Sequence, residues 1–317
     1  MFTRRHFFQT ATTAALTATT VAHSLAQSST SASSAAGARP ISKAQRAHKK
    51  GFMMATLRGP TAEKLTVLDR FKLLADAGFN GVELMSAMDR KEVLDARAAT
   101  GLEIPSVVVA THWAKPLSEP SEEIRAVGLE GLRHALRDAH AYGAKSVLLV
   151  PGKVTKTVSY ADAYRRSRDE IAKALPLAAS LGVIIAIENV WNQFLLSPLE
   201  AVSYVDSFNS PWVKWHFDAG NVINFGYPED WIRTLRERIV QVHVKEFNRK
   251  QRDTRGPYAG FEADLFDGDA DWPAVMTALD EIGYGGWIIA EQWRPPEMED
   301  GAWLKHLSRR LDALIMA

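Results

Sequence analysis

The sequence of 317 residues contains no cysteine. This absence excludes disulfide bonds, zinc–thiolate sites, iron–sulfur clusters and thiol nucleophiles. The chain also has no surplus of charge of one sign, because 38 Lys and Arg residues face 37 Asp and Glu residues and the formal net charge is +1. A balanced charge gives nucleic acid no evident surface to bind. No hydrophobic run is long enough for a transmembrane helix, so stable insertion into a membrane is not expected either.

The first 47 residues are predicted to be an export signal and a linker rather than part of the fold. Two adjacent arginines, Arg4 and Arg5, precede a short apolar run, and Ser24-Leu25-Ala26 places small residues at a cleavage position. This order is typical of a twin-arginine signal peptide, which we predict for residues 1–26. Residues 27–47 begin as a Ser- and Ala-rich stretch and are predicted to form a flexible linker. The expected location is therefore the periplasm, or another exported location reached by the twin-arginine route.

Short apolar runs alternate with amphipathic segments over residues 48–317, which are predicted to form one catalytic domain. Such alternation indicates parallel strands joined by helical crossovers. Eight units in this length predict the α/β class and a single (β/α)8 TIM barrel. A doubly wound open sheet is the alternative, but no Gly-rich fingerprint follows the first strand, so a dinucleotide site is not expected. The predicted strands are Gly51–Met54, Gly81–Leu84, Ile104–Ala110, Ser146–Val150, Val183–Glu188, Val213–Asp218, Val240–Lys245 and Trp287–Glu291.

Four residues of metal-ligand type stand at or near the C-terminal ends of the last four predicted strands: Glu188, Asp218, His243 and Glu291. In a TIM barrel these strand ends converge on the catalytic face. Three carboxylates placed so close together would repel one another, and a divalent cation would relieve that repulsion. Three oxygen ligands and one imidazole favour one Mn²⁺, Mg²⁺ or Co²⁺ ion, with Zn²⁺ and Fe²⁺ also open. The alternative is that these are separate rim residues in solvated ion pairs.

Several motifs in a fixed order make the chain similar to the xylose-isomerase-like TIM barrels, specifically to their sugar phosphate isomerase and epimerase group. The resemblance covers residues 48–312, and each motif is weak alone but specific within the ordered set. The motifs are Gly81-Val82-Glu83-Leu84, Ile187-Glu188-Asn189, Phe217-Asp218-Ala219-Gly220-Asn221, Val242-His243-Val244-Lys245-Glu246, and Gly283-Tyr284-Gly285-Gly286 leading to Glu291.

The resemblance implies a metal ion held by Glu188, Asp218, His243 and Glu291. It also implies that Glu188 and Glu291 are the catalytic acid and base, on opposite faces of the sugar carbon next to the carbonyl group. In that family the metal binds the carbonyl and hydroxyl oxygens, which acidifies the C–H bond and stabilises an enediolate. Return of the proton to the opposite face gives epimerisation, and return to the neighbouring carbon gives isomerisation.

One position departs from part of this family. Many free-ketose 3-epimerases carry a histidine three residues after the strand-six aspartate, and this chain has Asn221 there. The Asp-x-Gly-Asn pattern instead resembles the branch that acts on pentulose 5-phosphates. A sugar phosphate is an awkward substrate for a periplasmic protein, so the branch and the predicted location disagree. The resemblance therefore leaves the individual sugar open.

A further set of residues is predicted to contact the substrate. Lys245 lies two residues after His243 and therefore on the same side of its strand, and His112 follows the third strand. Three tryptophans follow strand ends, where an aromatic ring can pack against a sugar. The alternatives are a rim ion pair for Lys245, a structural role for His112 and apolar loop packing for the tryptophans. The predicted substrate contacts are Glu83, His112, Trp113, Trp191, Asn221, Lys245 and Trp293.

Three functions are consistent with these residues. The leading prediction is a divalent-metal-dependent isomerase or epimerase of a sugar or sugar derivative, with a small carbohydrate as its partner. The second is a metal-dependent lyase or dehydratase acting on a keto-sugar or keto-glycoside, by the same enolate chemistry. The third is a non-catalytic periplasmic sugar-binding barrel, which would not need an opposed pair of glutamates. The sequence leaves open whether the barrel forms a homo-oligomer.

Overall fold

The structure is a computed structural model that describes residues 39–59 and 62–317. The predicted signal peptide, residues 1–26, and most of the predicted linker lie outside the described residues, so both stay predictions. Within the described part of the chain, no helix is both long and apolar enough to cross a membrane.

Eight parallel strands close into a barrel in which each strand pairs with its neighbours in sequence and the last pairs with the first. This confirms the predicted single (β/α)8 barrel. The strands are β1 (Lys49–Met53), β2 (Gly81–Met85), β3 (Ser106–Val108), β4 (Ser146–Leu149), β5 (Ile184–Glu188), β6 (Val213–Asp218), β7 (Ile239–Val244) and β8 (Trp287–Ala290).

Strand β3 is shorter than the sequence predicts, three residues in place of the run Ile104–Ala110. Pro105 stands immediately before it and has no backbone N–H to donate to a neighbouring strand. The chain then turns at residues 110–114, directly after the strand. The apolar run is longer than the strand because Ile104 and Val109, on either side of it, are also buried.

The helices pack around the outside of the barrel. They are α1 (Val67–Asp76), α2 (Arg90–Thr100), α3 (Glu122–Tyr142), α4 (Tyr160–Ala172), α5 (Leu175–Leu181), α6 (Pro198–Asp206), α7 (Ala219–Ile223), α8 (Pro228–Leu235), α9 (Arg249–Arg255), α10 (Trp272–Glu281) and α11 (Asp300–Ile315). Gly143 and Gly182 end α3 and α5 with φ of 78° and 65°. Glycine enters this left-handed region without a Cβ clash, as the sequence predicts for both helix ends.

Side chains on β6 and β7 alternate between the helices and the inside of the barrel, as expected for a strand. Trp215 and Phe217 are fully buried in the apolar core that joins strands to helices. By contrast, the rings of His216 and His243 meet within the barrel, with centroids 4.1 Å apart. The inward positions therefore carry polar side chains, and these continue towards the C-terminal ends of the strands.

The last part of the predicted linker is attached to the barrel, which differs from the flexible segment expected for residues 27–47. The Ile41 N–H donates to the Asp280 carbonyl at 3.0 Å. The Arg46 guanidinium pairs with the Asp280 carboxylate at 2.7 Å and also donates to the carbonyl of Ile315 at 2.7 Å. The composition of this segment gave no sign of these contacts, because they depend on partners more than 230 residues away in sequence.

Candidate metal centre and active site

The four predicted metal ligands come together at the C-terminal end of the barrel. Glu188 and Asp218 are the last residues of β5 and β6, His243 lies near the end of β7, and Glu291 directly follows β8. One ligand atom from each lies within 4.8 Å of the ligand atoms of the others. Parallel strands in a closed barrel end on one face, which is why positions so far apart in sequence converge.

His243 connects this cluster to a deeper layer of the barrel. Its Nδ1 lies 3.4 Å from Glu188 Oε1 and 3.3 Å from Glu291 Oε2, and has no hydrogen bond among the described residues. Its Nε2 lies 2.7 Å from Glu83 Oε2. A histidine that donates its Nε2–H to a carboxylate presents the Nδ1 lone pair to the centre of the cluster, which is the tautomer that a metal ligand requires.

Glu83 lies in a different place from the substrate contact that the sequence predicts. Its side chain is fully buried inside the barrel, accepts a hydrogen bond from the Ser106 hydroxyl and pairs with His243. It lines no part of the cavity described below. The reason is its level in the barrel, because position 83 of β2 points inward one layer beneath the strand ends. Glu83 therefore positions His243 through its imidazole rather than touching a substrate.

Replacing Glu83 by glutamine is expected to weaken metal binding about 10- to 100-fold, the usual effect of removing a carboxylate that orients a ligating histidine. Calorimetric titration with Mn²⁺ measures the change, and Glu103→Gln is the matched control, since that carboxylate is half exposed and pairs with Lys49. Equal Mn²⁺ affinity in the Glu83→Gln and wild-type proteins would show that Glu83 has only a structural role.

Lys245 supplies a positive charge to the cluster. Its Nζ lies 2.7 Å from Asp218 Oδ2 and 2.6 Å from Glu291 Oε2. Burial disfavours the ammonium, but the carboxylates of Asp218 and Glu291 outweigh it and raise the pKa of Lys245, so the side chain is protonated at neutral pH. The alternative role for Lys245 was an ion pair at the rim with its neighbour Glu246. The structure does not show this pair, because the Glu246 carboxylate instead accepts hydrogen bonds from Trp272 Nε1 and from backbone N–H groups.

The cluster concentrates negative charge away from water. Burial raises the pKa of Glu188, and it raises the pKa of Asp218 to about 7. Burial also opposes the charge on Glu291, yet Lys245 and His243 hold the pKa of Glu291 well below its ordinary value. Burial opposes a charge on His243 too, but the carboxylates of Glu83, Glu188 and Glu291 raise its pKa, so the cluster draws positive charge to its centre when no cation is bound. Together with the unpartnered Nδ1 of His243, this donor set fits a divalent cation.

A cavity of about 860 Å³ opens above the cluster at the C-terminal face. Of the four candidate ligands, Glu188 and Glu291 line it, whereas Asp218 and His243 do not. Six of the seven predicted substrate contacts also line it, and Glu83 is the exception. They are His112, Trp113, Trp191, Asn221, Lys245 and Trp293.

His112 is held as a neutral hydrogen-bond donor in the cavity wall. Burial lowers its pKa to about 4. The backbone N–H of Val150 donates to His112 Nδ1 at 3.2 Å, so the ring proton of the neutral form is on Nε2. His112 therefore offers the cavity an N–H at neutral pH and carries no positive charge there.

Asn221 lines the cavity, and its backbone N–H and side-chain NH2 group also hold the site together. Its backbone N–H donates to Asp218 Oδ1 at 2.8 Å, which caps α7, and its Nδ2 donates to the Asn189 carbonyl at 2.9 Å. Asn189 in turn donates to the Asp218 carbonyl and accepts from the Asp218 N–H. The two asparagines fix the ends of β5 and β6 relative to each other. The sequence did offer one sign of the role of Asn189, because this amide side chain directly follows Glu188 at the end of a predicted strand.

Sequence reasoning missed the cavity-wall residues supplied by loops. Arg58 and Arg70 come from the segment after β1, and Tyr258 and Phe261 come from the segment after β7. The rule that catalytic residues lie at the C-terminal ends of strands does not identify them, because they lie several residues beyond those ends in the sequence. The segment after β7 also forms the short helix α9, which begins with the basic residues Arg249 and Lys250.

The sequence pattern of the family described as xylose isomerase-like TIM barrel matches residues 71–314 of the chain. The chain belongs to this family. The match covers β2 to α11 and includes all four strand ends that carry the candidate ligands, so the predicted resemblance to xylose isomerase-like barrels is confirmed.

Relatives within this group are sugar epimerases. The L-ribulose-5-phosphate 3-epimerase UlaE of Escherichia coli O1:K1 is 27% identical over 242 residues, covering 71% of this chain and 82% of that protein. Among solved structures, a D-tagatose 3-epimerase-like protein superposes with a TM-score of 0.69 at 19% identity, covering 84% of this chain and 98% of that one. The 3-keto-D-glucoside 4-epimerase of E. coli gives a TM-score of 0.70 at 17% identity, with 84% and 98% covered. The structural matches show the shared fold, and the relationship confirms the predicted isomerase and epimerase class of enzyme.

Proposed function

We propose that this xylose isomerase-like barrel is a divalent-metal-dependent epimerase or isomerase of a sugar or sugar derivative. The observation that carries the proposal is that only two of the four candidate ligands reach the cavity. Asp218 and His243 are shut off from the cavity, whereas Glu188 and Glu291 reach its wall from β5 and β8. A purely binding site needs no such pair of carboxylates in the cavity wall beside a buried cation site.

A cation held by Glu188, Asp218, His243 and Glu291 supplies Lewis acidity to the oxygen atoms of a ketose. The donor atoms favour Mn²⁺, Mg²⁺ or Co²⁺ among the metals. Asp218 is oriented by its bonds to Asn189 and Asn221, and His243 by its bond to Glu83. These buried residues hold the cation, which leaves the two glutamates to act on the substrate as well.

Glu188 and Glu291 are suited to move one proton across the substrate. Burial raises the pKa of Glu188, which strengthens it as a base, while neighbouring positive groups hold the pKa of Glu291 low. One carboxylate removes the proton next to the substrate carbonyl and the other returns a proton from the opposite side. This exchange inverts the carbon and gives an epimer. The 3-epimerase activity in the name of the UlaE relative supports this outcome.

Hydrogen exchange in D₂O tests the proposal without requiring the true substrate in advance. Proton NMR of free ketoses and 3-keto-glycosides should show loss of the signal of one C–H next to the carbonyl, only when enzyme and metal are both present. Failure of every ketose and keto-glycoside to exchange, with metal loading verified, would favour the non-catalytic sugar-binding barrel.

A lyase or dehydratase acting on a keto-glycoside is the second candidate. The observation in its favour is the neutral N–H of His112 in the same cavity wall, which could donate a hydrogen bond to a departing oxygen. Incubation with a 3-keto-glycoside separates the two outcomes. A lyase releases the aglycone, whereas an epimerase returns an isomer of equal mass.

Export through the twin-arginine route is part of the proposal and rests on Arg4, Arg5 and the small residues before position 26. Changing both arginines to lysine keeps the charge and should leave the full-length precursor in the cytoplasm, because the receptor reads the arginine pair itself. Immunoblots of periplasmic and cytoplasmic fractions measure the effect, with Arg39→Lys as the control beyond the signal. Unchanged accumulation in the periplasm would indicate the general secretory route.

A further inference from the structure

A second groove of about 300 Å³ adjoins the catalytic cavity. The two share part of their walls, formed by Val190, Trp191, Asn221 and Tyr258. Trp191 stands at the junction, with its ring centroid 5.6 Å from that of Phe225 and 5.0 Å from that of Phe261. Phe225 lines the groove and Phe261 lines the cavity, so one indole belongs to both. The groove therefore lies directly beside the cavity, on the far side of Trp191 from Phe261.

The groove is apolar and offers few free polar groups. The side chain of Asn189 is engaged with Asp218 and Trp215, and that of Asn221 with the Asn189 carbonyl. Among the described residues lining the groove, the amide of Gln193, the indole N–H of Trp231 and the hydroxyl of Tyr258 have no such bond. The other lining residues not shared with the cavity are Leu195, Leu196, Val222 and Phe225. Those three polar groups could bind only part of the hydroxyl groups of a second sugar ring, whereas an apolar ring needs no such partners.

The loop that forms one side of the groove has a fixed and unusual backbone. Gln193 and Leu195 both have positive φ, 59° and 56°, although neither is glycine. The loop is held by hydrogen bonds from Asn192 Nδ2 to the Gly152 carbonyl at 2.7 Å and from the Leu195 N–H to the Tyr160 hydroxyl at 2.9 Å. Strained backbone that is held in this way is concentrated at ligand-binding sites. The shape of the groove is therefore set before anything binds.

Two large apolar side chains at the groove remain exposed to water. Phe225 is 78% exposed and Leu196 is 64% exposed. The catalytic cavity alone, at about 860 Å³, lies in the upper part of the roughly 300–1000 Å³ range of pockets for drug-sized ligands. A monosaccharide has far fewer atoms than such a ligand. Cavity and groove together are thus much larger than one sugar ring requires.

We propose that the groove is a substrate subsite for an apolar, ring-bearing substituent of the sugar, such as the aromatic aglycone of a glycoside. The sugar ring lies at Glu188 and Glu291, and the substituent lies past Trp191 against Leu196 and Phe225. This inference rests on the proposed function only for the placement of the sugar. The wall that the groove shares with the cavity favours a substituent of the substrate over a second copy of the chain as the occupant.

Paired ligands test the subsite by binding rather than by turnover. Intrinsic tryptophan fluorescence and calorimetry would compare the phenyl and methyl glycosides of D-glucose, D-galactose and D-xylose on the metal-loaded protein. Each phenyl glycoside should bind about tenfold or more tightly than its methyl partner, because burying an aromatic ring contributes free energy of that order. Phe225→Ala and Leu196→Ala should each remove most of this preference. Leu199→Ala is the control, since Leu199 is 71% exposed at the start of α6 but does not line the groove.

The outcomes separate this subsite from the proposed function. A phenyl preference that is absent, or that survives Phe225→Ala, overturns the subsite, as does a failure of all phenyl glycosides to bind. Hydrogen exchange that fails while the phenyl preference remains overturns the epimerase proposal and leaves the subsite standing. Sedimentation that shows a dimer weakened by Phe225→Ala would instead make the groove a contact between two copies of this chain.

Discussion

Asp218→Ala and His243→Ala are expected to abolish metal binding. Wild-type protein should hold about one divalent ion per chain, because three carboxylates and one imidazole converge at the strand ends, and the other candidate group among the described residues, Glu83, His216 and His243, uses the same histidine. Loss of one ligand leaves too few donor atoms to hold a cation. Lys245 also neutralises part of the negative charge of the carboxylates. Metal analysis of the purified proteins by mass spectrometry measures the content of each variant.

Asp218 also caps α7, so its alanine variant removes two features at once. Asp218→Asn keeps an oxygen for the Asn221 N–H but lacks the charge, and it should lose the metal while retaining the fold. Asp253→Ala is the matched control, since that carboxylate is 64% exposed on α9. Thermal unfolding supplies an independent readout, because a cation that binds only the folded state raises the melting temperature of wild type and not that of Asp218→Asn. Wild-type protein without metal, and with no gain in activity or stability from Mn²⁺, Mg²⁺, Co²⁺ or Zn²⁺, contradicts the prediction.

The candidate ligands could be found from sequence because two regularities of the barrel locate them. Alternation along a strand separates Asp218 from Trp215 and Phe217, and closure of the barrel brings the ends of β5 to β8 to one face. Both regularities are local or topological, so they require no knowledge of side-chain packing. Residues such as Lys245 follow from the same rule, since Lys245 lies one alternation beyond His243.

Glu83 and Asn221 show where that reasoning ends. Alternation correctly turns Glu83 inward, but it does not state how deep in the barrel the carboxylate lies or that it meets His243 of β7 across the interior. Asn221 lines the cavity and stays a predicted substrate contact, but alternation does not reveal that its amide also binds the Asn189 carbonyl at the end of the neighbouring strand. The groove beside Trp191 depends on the positive φ angles of Gln193 and Leu195. These angles could not be predicted from the sequence, because glutamine and leucine rarely adopt them.

Glu188→Gln and Glu291→Gln are each expected to lower kcat by at least ~10²–10⁴-fold, the usual contribution of a positioned acid or base. Glutamine keeps the shape of the side chain and one oxygen for a cation but cannot accept a proton. The loss should fall mainly on kcat, because binding of the substrate uses other parts of the cavity wall as well. Steady-state kinetics on the substrate found by the exchange screen gives the values. Metal content is measured alongside, so that a loss of the cation is not mistaken for a loss of the base.

The two variants should also differ from each other in exchange, and this difference tests the opposed arrangement itself. With Glu291→Gln, Glu188 can still remove and return the proton on its own face, so one substrate epimer should exchange with D₂O while net epimerisation stops. With Glu188→Gln, the opposite epimer should exchange. Glu281→Gln is the control, because Glu281 is half exposed, pairs with Arg233 and does not line the cavity. Near wild-type turnover in both variants, or exchange of the same epimer by both, means that the two glutamates do not act from opposite faces and that other residues move the proton.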